Sequence, residues 1–305
     1  MLVILGPTAT GKTVLAARIA SEMDGEVISA DSRQVYRGMD IGTGKDYQDY
    51  IISGHKIPVH LIDIADPGYE YNIFEYQQDF LKAYQDIIAR GKYPILCGGS
   101  GMYLESVLKG YRLKKLEKTP ALDSFLGQMQ DEELRKMLLS FKTPHNTTDL
   151  LDRNRLIKAV RIAHQALKDD SAGFDLPDLK PVVVGIRFDR AIQRQRISER
   201  LKRRLQGGMI EEVERLLKKG LSADQLSFYG LEYKYVTQYL NRQLDYEKMH
   251  KLLETAIHQF SKRQMTWFRR MERSGTRINW LDGMLGMDEK VIMVKSIISK
   301  ADRNC

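Results

Sequence analysis

Cysteine is almost missing from this chain: Cys97 and Cys305 are the two in a length of 305. Two thiols cannot build a disulfide framework or a zinc site, and the six histidines (His55, His60, His145, His164, His250 and His258) include no close pair at metal-ligand spacing. A reducing, cytoplasmic setting is the expectation that follows. Long apolar runs are missing too. None approaches the roughly 18 residues that span a bilayer, so no membrane partner is expected. Met1-Leu2-Val3-Ile4-Leu5 runs straight into a glycine motif, without the charged leader or cleavage site of a signal peptide. No repeats or low-complexity tracts stand out.

What is present is ordinary globular composition, 43% hydrophobic and 29% charged, which argues against wholesale disorder. A length of 305 residues predicts two domains, or one large domain with an insertion. Lysine and arginine outnumber the acids 48 to 40, a net charge of +8. That excess points to a polyanionic partner where it is clustered.

The first hundred residues alternate in α/β fashion. Leu2–Leu5 is a short continuous apolar run, as expected of a strand buried on both faces. A helical pattern follows it, and Val27–Ala30, His60–Ile64 and Tyr93–Cys97 read as further strands, with a helix over Ile73–Arg90. Strand and helix repeated at this spacing predict a parallel sheet with right-handed crossovers. Between Leu113 and Asn146 charged and small polar residues dominate, which predicts a small helical insertion. Asp152–Leu167 is helical again and Pro181–Phe188 reads as another strand. Beyond Asp189 helix follows helix, the strongest from Tyr246 to Arg273. Its stripe of Met249, Leu252, Leu253, Ala256, Ile257, Phe260, Trp267, Phe268 and Met271 predicts burial. The fold class is therefore α/β, a parallel sheet flanked by helices with a helical insertion at 113–149, and Gly6-Pro7-Thr8-Ala9-Thr10-Gly11-Lys12-Thr13 after the first strand makes it P-loop NTPase-like. Residues 1–112 and 150–305 form the core and its helical C-terminal part.

The sharpest motif is Gly6-Pro7-Thr8-Ala9-Thr10-Gly11-Lys12-Thr13, between the first strand and the first helix. Its glycines allow successive backbone N–H groups to surround phosphate oxygens at a helix N-terminus. Lys12 supplies a point charge for the terminal phosphates, and the Thr13 hydroxyl can ligate Mg²⁺. Asp31 ends the second strand, in Ser29-Ala30-Asp31-Ser32-Arg33-Gln34-Val35-Tyr36, where open α/β sheets place their ligands. It reads either as a turn residue or as a general base or substrate-orienting carboxylate. Cys97-Gly98-Gly99-Ser100-Gly101 follows another strand; its glycines allow close backbone approach, and Ser100 can cap the next helix. The positive charge is clustered, with seven Lys/Arg between Asp189 and Gln206 and five between Ser261 and Arg273. Such segments are either solvated faces or a surface for a nucleic-acid backbone.

Taken together, these residues resemble the tRNA dimethylallyltransferases, also called tRNA isopentenyltransferases. The resemblance rests on GPTATGKT at 6–13, SADSRQVYRGMDIGT at 29–43, HLIDI at 60–64 and GGSGMY at 98–103. It continues through DRNRLIKAV at 152–160, QRISER at 195–200, GMIEEV at 208–213 and KRQMTWFRR at 262–270. It implies transfer of a five-carbon prenyl group from dimethylallyl diphosphate to N6 of adenine 37 in tRNA. Residues Gly6 to Thr13 then resemble the diphosphate-binding loop, Asp31 the base that meets the attacking amine, and Arg196 the arginine over the pyrophosphate. Asp31, Ser32, Arg33, Gln34 and Ser100 resemble tRNA-contacting residues, as do Asn154, Arg155, Leu156, Ile157 and Lys158. The insertion would contact tRNA as well.

The chain also departs from the family pattern. Ser100 stands where threonine is usual, Asn154, Lys158 and Arg161 replace other residues, and the insertion is shorter. No Cys/His pair of the eukaryotic zinc finger follows, so a bacterial type is expected. Mg²⁺ is the implied cofactor, tRNA and dimethylallyl diphosphate the implied partners, and a monomer the expected state. A P-loop kinase using the same cradle for ATP remains an alternative. So does an RNA-binding protein with a vestigial loop, though the intact Lys12, Thr13 and Asp31 count against that.

Overall fold

The computed structural model describes residues 1–116, 119–141, 148–168 and 175–303. Pro144, His145, Asn146 and Cys305 lie outside the described residues. The chain divides into two compact units, Met1–Gly110 with Leu176–Cys305, and Tyr111–Asp175.

In the larger unit the main sheet runs β1 (Leu2–Leu5), β2 (Gly25–Ala30), β3 (Val59–His60), β4 (Tyr93–Gly98), β5 (Val182–Arg187) and β6 (Asn279–Asp282). The spatial order is β3-β2-β4-β1-β5-β6, all pairs parallel. Alternation along β1 explains why its four residues are all apolar. Leu2 and Ile4 pack with Leu15 and Ile19 of the helix Lys12–Glu22 and with Val294 of the helix Met287–Asp302. Val3 and Leu5 face the other way, onto Tyr76 and Phe80 of the helix Ile73–Ala89 and Phe268 of the long helix. A strand covered on both faces cannot alternate with polar residues.

The helices Arg190–Arg204, Ile210–Lys218, Leu231–Leu240 and Tyr246–Arg273 bury a third apolar cluster that includes Leu201, Val213, Tyr233 and Leu253. The longest starts where Asp245 accepts the Lys248 N–H at 2.7 Å, a side-chain N-cap.

Three expectations are corrected. His60–Ile64 is not one strand: pairing stops at His60 because Leu61 and Asp63 take positive φ, 62° and 56°. The turn lets Asp63 meet the buried Lys45 ammonium, which also binds Asp40 and the Tyr36 carbonyl. On the long helix, Leu252 and Phe260 are exposed and Trp267 is half-buried, while polar Ser261 and Gln264 are buried in the stripe instead.

The third correction concerns the smaller unit, which extends to 175 and so takes the helix Arg153–Lys168 out of the expected core. Its apolar face explains this: Leu156, Val160 and Ala163 close a separate cluster with Leu126, Leu134 and Leu138 of the helices Pro120–Gln128 and Asp131–Phe141.

Candidate active site

The turns that follow β2, β4 and β1 lie side by side at the C-terminal edge of the sheet, where open α/β sheets bind ligands. They carry Asp31, the Gly98–Gly101 turn and the Gly6–Thr13 loop.

The loop is buried at its base, Gly6 and Pro7, and bends at its crest through Ala9 and Gly11, with φ of 64° and 79°. A positive φ at alanine is strained and must be held by its surroundings. Here Arg196 donates from Nε to the Ala9 carbonyl at 3.0 Å, its guanidinium 4.6 Å over the Phe188 ring. Gln193 donates to the Thr8 carbonyl, and Arg200 reaches the Thr8 hydroxyl at 3.3 Å. Residues 193, 196 and 200 are spaced as one face of a helix, so the helix Arg190–Arg204 lies along the crest. From the long helix, Gln264 Oε1 accepts the Thr8 N–H at 2.9 Å. Inside the loop, the Thr10 hydroxyl donates to the Pro7 carbonyl at 2.9 Å.

Lys12 points its ammonium at the Pro7 carbonyl, 3.4 Å away, and has no carboxylate partner within 4.0 Å among the described residues. Burial lowers its pKa from the ordinary value, opposed by the Cys97 thiol and Asp31 and reinforced by Arg200 and Arg204. A half-buried cation with no carboxylate partner beside the phosphate-loop backbone favours an anion. Arg204 is half-buried near by, its guanidinium 3.7 Å from Glu232 and 3.9 Å from Asp46. Burial, with Arg200 beside it, brings its pKa down to about 10. Cys97 is no nucleophile, because burial pushes its thiol up to about 12.

Asp31 is half-buried, and its Oδ1 accepts the Arg33 N–H at 2.9 Å. Its Oδ2 has no hydrogen-bond partner among the described residues. The Ser32 N–H donates to the Ser100 hydroxyl at 2.9 Å, so Ser100 braces the Asp31 turn and does not cap the following helix. The Gly98–Gly101 glycines answer to packing. A side chain at Gly98 would strike the Ala30 carbonyl, and one at Gly101 the Trp267 ring.

Not every expected contact residue is free. Gln34 spends its amide inside the protein, accepting from Ser29 at 3.3 Å and donating to the Gly44 carbonyl at 2.9 Å. Arg33 lies 5.1 Å from the centre of the exposed Phe228 ring. In the smaller unit Asn154, Arg155 and Lys158 are exposed, Ile157 is half-buried, and Leu156 is completely buried. Leu156 is thus a core residue, and its side chain is withdrawn as an RNA contact. Arg270 is committed too: it pairs with the buried Glu105 at 2.6 Å and stacks 4.2 Å over Trp267. Among the described residues no three His, Cys, Asp or Glu side chains group to hold a metal.

The two basic helices meet at one cavity of about 1160 Å³ that reaches Pro7, with Arg190 and Arg194 on one side and Lys262 and Arg269 on the other. Sequence reasoning missed Gln193, Arg200 and Gln264. Two polar residues, Ser261 and Gln264, stand within the apolar stripe at positions 257, 261, 264 and 268, and that break was the available signal.

The IPP transferase family model matches residues 34–271. A tRNA dimethylallyltransferase 2 of Bacteroides fragilis (strain ATCC 25285) is 54% identical over 295 residues, 97% of this chain and 96% of its own length. One from Phocaeicola vulgatus is 50% identical over 299 residues, 98% and 97% of the two chains. Among solved structures, the tRNA isopentenylpyrophosphate transferase of Bacillus halodurans superposes with a TM-score of 0.72 at 28% identity, covering 98% of this chain and 95% of that one. A eukaryotic dimethylallyltransferase acting on tRNA superposes with a TM-score of 0.79 over 98% and 79% of the two chains. At 20% identity, that likeness concerns the fold alone.

Proposed function

The chain belongs to the IPP transferase family of tRNA dimethylallyltransferases, and from that premise and the geometry above we infer that it transfers a dimethylallyl group from dimethylallyl diphosphate to N6 of adenine 37 in tRNA. The observation that carries the reaction is Asp31: one carboxylate oxygen is fixed by its own turn and the other is open, on the sheet edge that holds an unpaired Lys12.

An exocyclic adenine amine is a weak nucleophile, so stabilising the leaving group must supply much of the catalysis. As the amine nitrogen bonds to C1 of the donor, the C1–O bond breaks and its electron pair leaves with the diphosphate. The loop amides, Lys12 and Arg196 meet that developing charge. Asp31 Oδ2 accepts the proton released by the amine. Adenine leaves the anticodon stack to reach the site, which a single-stranded loop makes cheaper than a duplex would.

The Thr13 hydroxyl has no partner among the described residues, so the protein offers one oxygen and the diphosphate the rest. That donor set fits Mg²⁺, which keeps several waters and binds substrate phosphates. Bound there, it would neutralise charge on the leaving group. The loop and Asp31 come from one chain, which supports a monomer, and the unpaired Cys97 suits a cytoplasmic setting. Among the described residues no helix is long and apolar enough to cross a membrane.

Single-turnover transfer to an anticodon stem-loop tests this, with adenine and then guanine at position 37. Asp31→Asn should retain dimethylallyl diphosphate binding while the rate falls by about two to four orders of magnitude. A wild-type rate in the variant would overturn the base assignment. Consumption of ATP with no modified adenosine would make the protein a kinase.

A further inference from the structure

Past the last ladder pair, Leu5 opposite Gly98, the diphosphate loop and the Gly98–Gly101 turn separate, and Gln264 of the long helix joins them again. Its Oε1 accepts from the Thr8 amide and its Nε2 donates to the Gly99 carbonyl, both at 2.9 Å. The side chain is 8% exposed. The primary amide supplies both the acceptor and the donor at this reach: glutamate lacks the donor at neutral pH, and methionine keeps only a weakly accepting sulfur. Gly99 leaves no slack, since a Cβ there would lie 2.6 Å from Gln264 Nε2 and 3.2 Å from the Gly6 carbonyl oxygen.

The next links run toward the base. Ser100 donates its N–H to the Ala30 carbonyl at 3.1 Å and accepts the Ser32 N–H at 2.9 Å. Asp31 lies between Ala30 and Ser32. A continuous path therefore runs from Thr8 by hydrogen bonds through Gln264 to Gly99, across the Gly99–Ser100 peptide bond, and by hydrogen bonds again to both neighbours of Asp31.

We propose that Gln264 is a positioning residue that fixes the distance between the diphosphate cradle and the carboxylate receiving the amine proton. The proposal rests on the prenyl-transfer reading above. Donor carbon and acceptor nitrogen are delivered by separate turns, and displacing one turn by about 1 Å can cost on the order of 100-fold in rate while each substrate still binds. A residue serving only stability would lower the amount of folded enzyme and leave the rate of each folded molecule alone.

The test uses single-turnover transfer to an anticodon stem-loop at saturating dimethylallyl diphosphate, with the rate expressed per folded molecule. Gln264→Met removes both bonds without adding charge, and Gly99→Ala wedges the same joint from its other side. Each should lower the rate constant by roughly 10- to 100-fold, with KM for either substrate changed less than about threefold. Leu253→Ala is the stability control. It lies about three turns earlier on the same helix, is fully buried in another cluster, and should keep its rate constant within about threefold while melting earlier.

A wild-type rate constant in Gln264→Met overturns the proposal, as does a loss in proportion to melting temperature that Leu253→Ala shares. If Gln264→Met does not fold, Gly99→Ala decides; if neither folds, the joint is structural and the proposal falls. A wild type that transfers no prenyl group defeats the function itself, an outcome separate from an active wild type with unaffected variants.

Discussion

Glu212 offers a sharp test of how the segment after Asp31 is held. Its carboxylate is 2% exposed and accepts four hydrogen bonds. Oε2 takes the Asp40 and Ile41 amides at 2.9 and 2.8 Å, and Oε1 takes the Gly42 amide at 3.0 Å and the Tyr233 hydroxyl at 2.7 Å. Asp40 and Ile41 are half-exposed, so water can replace the acceptor there, but Gly42 and Tyr233 are buried. Glu212→Ala therefore strands two buried donors at about 1–3 kcal/mol each, and adds a cavity, for a total of about 3–5 kcal/mol. At about 2–4 °C per kcal/mol for a unit of this size, the melting temperature should drop by roughly 10 °C. In Glu212→Gln one acceptor oxygen becomes a donor facing donors, with a loss of about 2 kcal/mol. Thermal melting measures both. A Glu212→Ala melt within about 2 °C of wild type would refute the view that this carboxylate holds the 40–42 turn.

Three further outcomes are expected. The Arg90 guanidinium, aided by His60 and opposed by burial, holds the Glu26 carboxyl down at about 2. A depressed carboxylate adds stability above its unfolded value and loses it as pH falls toward the folded one, so about 3 kcal/mol should disappear between pH 4.5 and 2. Denaturant titrations should therefore show the gap between wild type and Glu26→Gln closing over that interval; a constant gap would exclude the linkage. Lys262→Ala with Arg269→Ala should flatten the slope of log tRNA affinity against log salt by about 0.7 for each phosphate no longer contacted, with melting unchanged. Arg270→Ala should act instead on stability, because it leaves the buried Glu105 with Lys109 at 3.4 Å as its remaining cation; an unchanged melt would return Arg270 to the RNA surface.

Legibility followed how local the cause of each element is. β1 could be read because both of its faces are buried, so its four residues carry no polar interruption. The long helix could be read to its ends, Tyr246 and Arg273, because Asp245 caps it and the stripe continues throughout. β6 escaped notice for the opposite reason. Asn279–Asp282 is four residues at the edge of the sheet, and its pairing to β5 is set by distant chain. The early end of β3 also has a remote cause, since Asp63 turns toward Lys45, eighteen residues away in sequence.

The site divides along the same line. A phosphate loop advertises itself because its glycines and lysine act where they stand in the chain, and Asp31 follows from the end of its strand. Gln193, Arg196 and Arg200 act on a loop about 190 residues earlier, and on a basic helix their spacing looks like any solvated face. Gln264 is different, because it breaks a rule within its own helix. A polar amide on a stripe that holds Ile257, Phe268 and Met271, with Ser261 as its other polar member, has to find partners inside the protein or destabilise it. Burial of an amide at a position where leucine would pack therefore marks a place where hydrogen-bonding geometry outweighs hydrophobic gain. In this fold that place is the joint between the two turns whose spacing the reaction needs.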